Sequence, residues 1–419
     1  MTSLRDALPV WAKIGILSFG GPAAQIGLMH RIVVDENRWL TEREYLNALS
    51  FCMLLPGPEA MQVATYCGWK MHGVRGGLTA GLLFVLPGAF VILALSMLYA
   101  LVGAVPAWEA VFTGIKAAAM VMVFEALVKV SKKGLKARAH WIIAGLAFLA
   151  LFAFALPFPL VVLAAGLYGL AMGGEADPAN APVTVKPTDT LRTILIWLAI
   201  WWLPIGALAF GPMPIFAEIG VFFSKLATVT FGGAYAVLAY MAQDAVHAKG
   251  WLSAPEMIDG LGLAETTPGP LILVTEFVGF LAGARADGAL NLWFGTFAAV
   301  VTLWATFAPC FLWVFAGAPY IDWIASRHRL RAALAAITAA VVGVILNLSI
   351  WFAIHTLFTE TSDLTVGWMQ VLAPDVASLN PLAAMLALVA GILLLWMKHG
   401  VLLTLATCAV LGFLGGVLI

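Results

Sequence analysis

Charge is scarce in this chain. Asp, Glu, Lys and Arg make up 11% of 419 residues, and 22 bases balance 22 acids to a formal net charge of zero. Such a balance offers no basic surface for nucleic acid and no global field to steer a ligand. The four cysteines, Cys52, Cys67, Cys310 and Cys408, lie in apolar segments without paired spacing, so neither a disulfide framework nor a zinc site follows, and packing is their expected role. The seven histidines show no paired helical spacing that would hold a metal. No Gly-rich loop ends in Gly-Lys-Ser or Gly-Lys-Thr, and no nucleophile stands beside a base. ATP as the energy source, a catalytic residue, a metal and a cofactor are therefore not expected. Met1 to Ala12 lacks the basic region, apolar core and cleavage site of a secretory signal, so the first span is expected to be retained.

What the chain has in abundance is apolar sequence: 63% hydrophobic residues and a mean hydropathy of +0.99, in recurring runs of about 20 residues. This excludes a water-soluble fold. The runs are rich in Gly, Ala and Leu and do not alternate in polarity, which excludes a transmembrane barrel. The expected fold is all-α, a polytopic helical membrane protein with about 13 transmembrane helices. Spans are expected near 7–30, 45–71, 77–103, 110–130, 140–156 and 158–172, then an unpaired one at 191–210. The rest fall near 214–243, 257–283, 288–316, 332–353, 380–397 and 400–419. Residues 173–190 read as a polar linker rich in Pro, Ala and Thr.

The chain also repeats itself. Ser18-Phe19-Gly20-Gly21 returns as Thr230-Phe231-Gly232-Gly233, Trp39-Leu40 as Trp251-Leu252, and Pro56-Gly57-Pro58 as Pro268-Gly269-Pro270, all at a constant offset of 212 residues. Two homologous halves follow, 1–172 and 213–419, with 173–212 as a linker that carries one spacer helix. Two copies of a helix broken at Pro-Gly-Pro match the way many secondary transporters build a mid-membrane binding site.

Lys129, Lys132, Lys133, Lys136 and Arg138 form one basic cluster, and Arg327, Arg329 and Arg331 another. Cytoplasmic loops collect Lys and Arg. Both clusters are cytoplasmic only if the halves are inverted, with the unpaired helix supplying the odd crossing. This places the N-terminus in the cytoplasm, the C-terminus in the periplasm, and the acidic segment 354–379 outside. It takes Tyr45 to Met71 as one broken crossing, and it leaves the loop of Arg31, Arg38 and Arg43 outside, against the rule.

Candidate binding residues cluster at the repeated motifs. Prolines at 56, 58, 268 and 270 lack amide protons and force breaks, leaving backbone groups free around Gly57 and Gly269. Pro58 suits the first position of a new half-helix, whose free amides and positive dipole end attract an anion. Gly20, Gly21, Gly232 and Gly233 permit close backbone approach, and Gln25 and Gln62 add neutral donors. Lys13 and Lys225, each seven residues before a motif glycine, are intramembrane cations suited to a dianion, with interfacial snorkelling as the simpler role. Glu59, Glu265 and Glu276 sit at or near the breaks. Glu59 and Glu265 are the candidates for proton coupling, and Thr266 and Thr267 offer hydroxyls.

Ser18-Phe19-Gly20-Gly21-Pro22, Arg38-Trp39-Leu40, Leu55-Pro56-Gly57-Pro58-Glu59-Ala60-Met61-Gln62 and Leu86-Pro87-Gly88 together resemble the chromate ion transporter family in its long, two-domain form. The resemblance covers essentially the whole chain. It implies export of chromate across the bacterial inner membrane and chromate resistance. The second copy departs from the first, with Ala234 for Pro22, Val237 for Gln25, Leu271 for Glu59 and Val274 for Gln62, so the site is expected to be asymmetric. The rival readings are a carrier for sulfate or another oxyanion, an anion channel, and a membrane-embedded hydrolase. The expected partners are the oxyanion and the lipid bilayer. A homodimer is optional, since inverted halves complete one another within a single chain.

Overall fold

With no water to satisfy backbone groups in a bilayer, apolar runs of this length close their hydrogen bonds within helices. A computed structural model describes residues 2–102, 106–173, 187–231, 234–321, 327–366 and 369–418, and nearly all of it is helical. The helices are α1 (Leu4–Leu17), α2 (Gly21–His30), α3 (Glu42–Cys52), α4 (Glu59–Val102), α5 (Pro106–Gly134), α6 (Arg138–Phe152), α7 (Phe158–Met172) and α8 (Pro187–Leu208). They continue as α9 (Pro214–Val229), α10 (Ala234–Met241), α11 (Ala254–Thr266), α12 (Val274–Ala284), α13 (Leu292–Gly317), α14 (His328–Leu357), α15 (Pro381–Gly391) and α16 (Val401–Leu418). The fold is all-α as expected, apart from one antiparallel hairpin among the described residues, β1 (Thr361–Val366) with β2 (Met369–Pro374), in the polar segment after α14.

Contacts divide the chain into two units that cut across the sequence halves. The first takes Met1–Met97, Gly174–Ala234 and Thr267–His328; the second takes Leu98–Gly173, Tyr235–Thr266 and Arg329–Ile419.

In the first unit the chain folds back repeatedly. Thr41 and Glu44 cap α3 reciprocally, and bonds from the Thr41 backbone and hydroxyl hold the Glu44 carboxyl below the usual range. The Glu44 carboxylate then lies 3.9 Å from Lys70, and the Phe51 and Tyr66 rings are 6.0 Å apart. Glu44 and Lys70 would be about 39 Å apart in a straight helix. The segment 42–71 is therefore a helical hairpin with Pro56-Gly57-Pro58 at its tip.

A second reversal follows at once. His72 and Gly73 leave helical geometry, and a Cβ on Gly68 would meet the Gly76 carbonyl oxygen at 2.3 Å, with the reciprocal clash at 2.2 Å. Two glycines thus let the limbs 59–71 and 74–102 of α4 pack antiparallel, backbone on backbone. The first segment reverses too. The Trp11 and Trp39 rings lie 5.7 Å apart, where a straight run would separate those residues by about 42 Å, and the turn is made at Gly20 and Gly21, both at positive φ.

The rest of the first unit packs by the same rule of small residues. A Cβ on Gly279 of α12 would overlap Thr302 of α13, and one on Gly283 would meet Ala298. The helix α8 docks on α9 and α13 through a Trp201–Ser224 hydrogen bond of 2.9 Å and a Trp197–Phe311 stack.

In the second unit, α6 and α7 form a hairpin along α14. Ala144 and Phe148 lie beside Gly343, while Gly166 meets Ile337 and Gly169 meets Ala332, so the two short helices run in opposite directions. Packed against α5 are α11, α15 and α16, with the Cys408 carbonyl pressed on Gly114.

Among the described residues, five helical segments are long and apolar enough to cross a bilayer: Glu59–Val102, Trp108–Gly134, Pro187–Leu208, Leu292–Tyr320 and His328–Leu357. Two expectations need correction. Tyr45 to Met71 is not one broken crossing but a hairpin that returns to its starting side, and 7–30 is likewise folded on itself. The parity argument and the count of 13 rested on continuous crossings there. The physical reason is that each break combines prolines with glycines at positive φ, and such a break reverses the chain where proline alone would only kink it.

The hairpin is directly testable. In a background free of native cysteines, Glu44→Cys and Lys70→Cys are expected to be joined efficiently by a short bifunctional thiol reagent. Absence of cross-linking in folded protein would restore the straight crossing.

Candidate functional site

The repeated motifs meet in the first unit and bond to each other. The Gly57 amide donates to the Thr230 carbonyl at 2.8 Å, and the Gly269 amide donates to the Ser18 carbonyl at 2.8 Å. Donors and acceptors of the two bonds are related by the same 212-residue offset. Ser18 and Thr230 cap the C-termini of α1 and α9. Each Pro-Gly-Pro tip has a single amide to give, because proline has none, and each gives it to a buried helix-end carbonyl of the other half.

The tips are also seated on equivalent helices. A Cβ on Gly57 would meet the Cys310 sulfur at 2.8 Å and the Gln62 amide nitrogen at 2.9 Å, and Gly57 has φ +116°. A Cβ on Gly88 would overlap the Pro268 carbonyl at 2.1 Å. Cys310 and Gly88 each follow a proline inside a long helix, Pro309 in α13 and Pro87 in α4. The first half's tip therefore rests on the second half's proline kink, and the second half's tip rests on the first half's.

Two glutamines lock this arrangement from one side only. Gln25 donates to Gly269 O at 2.7 Å and to Ser18 O at 3.2 Å, and Gln62 donates to Pro56 O at 2.7 Å. Their amide donors are committed to backbone carbonyls, while the side-chain oxygens of both are buried without a partner among the described residues. At the counterpart positions stand Val237 and Val274, which cannot form such bonds.

The structure brings together Ser18, Gln25, Pro56, Gly57, Pro58, Gln62, Thr230, Pro268, Gly269 and Pro270. Glu59 is part-buried in the first turn of the limb 59–71, beside amides that have no partner within the helix. Thr267 and Glu276 are buried in the same unit, with one Glu276 carboxylate oxygen lacking a partner among the described residues. Lys13 and Lys225 are exposed on α1 and α9 and form no ion pair among the described residues. Gly20 is exposed and Gly21 part-buried, whereas Gly232 and Gly233 lie outside the described residues.

Glu265 and Thr266 belong to the second unit, where Glu265 is buried and accepts a 2.8 Å bond from the Tyr235 hydroxyl, and Thr266 donates to the Leu263 carbonyl. Sequence reasoning passed over a second polar cluster in this unit. Lys116 lies 3.3 Å from Asp259, and Tyr99 donates to Asp259 at 2.8 Å. The signal was present: Lys116 and Asp259 are charges inside apolar runs, the same feature that singled out Lys13 and Lys225.

Helical hairpins with Pro-Gly-Pro tips crossed between repeated segments define a polytopic membrane protein of the kind that builds small-ligand sites from broken helices. The chain belongs to the chromate transporter family, whose model matches residues 6–170 and again 217–413. It is 32% identical to a chromate transport protein of Pseudomonas aeruginosa over 372 residues, covering 88% of this chain and 85% of that one. A chromate transport protein of Cupriavidus metallidurans is 29% identical, over 82% of this chain and 81% of the relative. An uncharacterized transporter of the archaeon Methanocaldococcus jannaschii is 24% identical over 96% of this chain and 92% of its own. No solved structure matches.

The two tip glycines are expected to differ in tolerance. Gly57→Ala adds a clash with Cys310 to a strained φ, whereas a Cβ on Gly269 meets nothing closer than 3.1 Å. Strain of this kind costs about 1–3 kcal/mol. Gly57→Ala is expected to lower the melting temperature of the purified protein more than Gly269→Ala does, and the reverse order would contradict the seating of the tips.

Proposed function

We propose that this protein carries chromate, or a closely related tetrahedral oxyanion, across the bacterial inner membrane, and that export under the membrane potential gives chromate resistance. The observation that carries the reading is the crossed pair of tips. It holds a helix N-terminus, whose first amides have no partner within the helix, at a break between helices, which is the backbone feature suited to an anion. Family membership and the names of the relatives support the cargo. Each charge crossing 100 mV is worth about 2.3 kcal/mol, so a dianion leaving an inside-negative cell gains roughly twice that without ATP. Sulfate has the same shape and charge and remains the alternative cargo.

The hairpins also support a simpler topology than thirteen crossings. With hairpins 4–36 and 42–71 both entering from the cytoplasm, Arg31, Arg38, Arg43, Lys70 and Arg75 all fall at cytoplasmic feet, and the exception to the positive-inside rule disappears. Limb 74–102 and α5 then cross out and back, which returns Lys129 to Arg138 to the cytoplasm. The α6–α7 hairpin returns to the same side, α8 crosses out, α13 crosses in to Arg327–Arg331, and α14 crosses out to the acidic β-hairpin. Five crossings keep the halves inverted, because three of them separate equivalent points, and they keep the N-terminus inside and the C-terminus outside.

Two measurements test this reading. Inside-out vesicles containing the protein are expected to take up chromate saturably, faster with a membrane potential, and with competition from sulfate. Lys13→Ala and Lys225→Ala are expected to weaken that uptake at normal expression. Absence of chromate uptake beside transport of another anion would discard the named cargo, and full activity in both variants would remove the lysines. For the topology, Arg38→Cys should react with an impermeant thiol reagent in inside-out vesicles and Asp375→Cys in intact cells. Labelling of Arg38→Cys from outside would return the protein to continuous crossings.

A further inference from the structure

Among the described residues the buried acids are Asp259 and Glu265 on α11 of the second unit and Glu276 on α12 of the first. Asp259 on α11 has a side chain 6% exposed, and its ion-pair partner Lys116 on α5 is 17% exposed. The approach is made possible by Gly262, where a Cβ would overlap Ile115 of α5 at 2.2 Å, one residue before Lys116. The two oxygens of Asp259 are held unequally. Oδ2 accepts the Tyr99 hydroxyl at 2.8 Å, whereas Oδ1 faces the Lys116 ammonium at 3.3 Å. A buried ion pair contributes little net stability, because desolvation offsets its attraction, and an intramembrane ionisable pair is by default a functional candidate.

We propose that Asp259, held by Lys116 and Tyr99, takes up and releases a proton that crosses together with the oxyanion. The inference rests on the transport reading above. In the step itself a proton from one aqueous side binds Oδ1, the carboxylate becomes neutral, and Lys116 keeps its ammonium. The pair thus passes from zero to one positive charge, a state that favours a bound anion, and release of the proton to the other side restores neutrality. The groups around Asp259 allow this assignment. Glu256 lies on its own helix, and Lys116 and Tyr99 come from the neighbouring helices. The turn 242–248, packed on α11, carries Asp244 and His247, and α16 carries Cys408. Among the described residues, Lys116 alone is held in an ion pair with Asp259. Glu265 lies about 9 Å further along α11, already engaged by Tyr235.

The test uses full-length protein in proteoliposomes, with chromate uptake driven by a pH gradient at clamped zero potential and chromate–chromate exchange measured without a gradient. Wild type is expected to show both. Asp259→Asn is expected to retain exchange and to lose the gradient-driven component by about tenfold or more, within the usual range of coupling between sites. Lys116→Met/Asp259→Asn, which leaves no unpaired buried charge, is the second variant should the single one fold poorly, and it is expected to behave alike. Gradient-driven uptake that survives in either variant overturns the assignment, as does a wild type that exchanges chromate but ignores the gradient. A wild type that carries no oxyanion in either assay overturns the transport reading itself, an outcome distinct from the other two.

Discussion

Every feature of the first unit depends on where its backbone amides and carbonyls find partners. In a hydrocarbon environment an unpaired peptide group costs several kcal/mol, so a break in a helix is tolerated only if another part of the protein completes it. Here the completion is mutual. Each Pro-Gly-Pro tip donates its one amide to the carbonyl that ends a helix of the other half, and each rests on a proline kink of the other half. Neither half can close its own break, which is a physical reason for the motifs to come in pairs.

The same requirement explains why the copies have diverged where they have. Glycine is needed at 57 and 269 for backbone geometry and at 88 for space, so those positions read as a repeat. The glutamines are not needed twice. Gln25 reaches across to the opposite tip while Gln62 braces its own, so the first half supplies both side-chain locks. The asymmetry read from Val237 and Val274 is thus an asymmetry of bracing, and it leaves the side-chain oxygens of Gln25 and Gln62 as buried acceptors at the break.

Much of this was legible in the sequence, but unevenly. The repeat and its breaks were visible because proline and glycine act through the backbone and leave a mark in residue identity. The repeat extends further into local geometry than the motifs suggested. Arg31–Glu36 and Ala242–Ala248 are both π-helical, Arg38 and Gly250 both take positive φ, and Trp39 and Trp251 donate to the corresponding carbonyls of Val33 and Ala245. No residue pattern announces a π turn, and Arg at a left-handed position conceals it further. The reversals at 18–21 and 53–58 were hidden for another reason. Hydropathy reports burial in lipid and does not report direction, so a hairpin of two short helices reads the same as one long crossing.

Direction is what charge can report, and here the two signals bear on one another. Read as continuous crossings, the chain strands Arg31, Arg38 and Arg43 on the wrong side, a cost the hydropathy pattern cannot detect. Read as hairpins, in the topology proposed above, the short helices would bring those residues back to the side of the N-terminus. Irregular backbone inside a bilayer is tolerated only where protein rather than lipid completes it, and in the first unit the breaks of the two hairpins complete one another through the bonds of Gly57 to Thr230 and of Gly269 to Ser18.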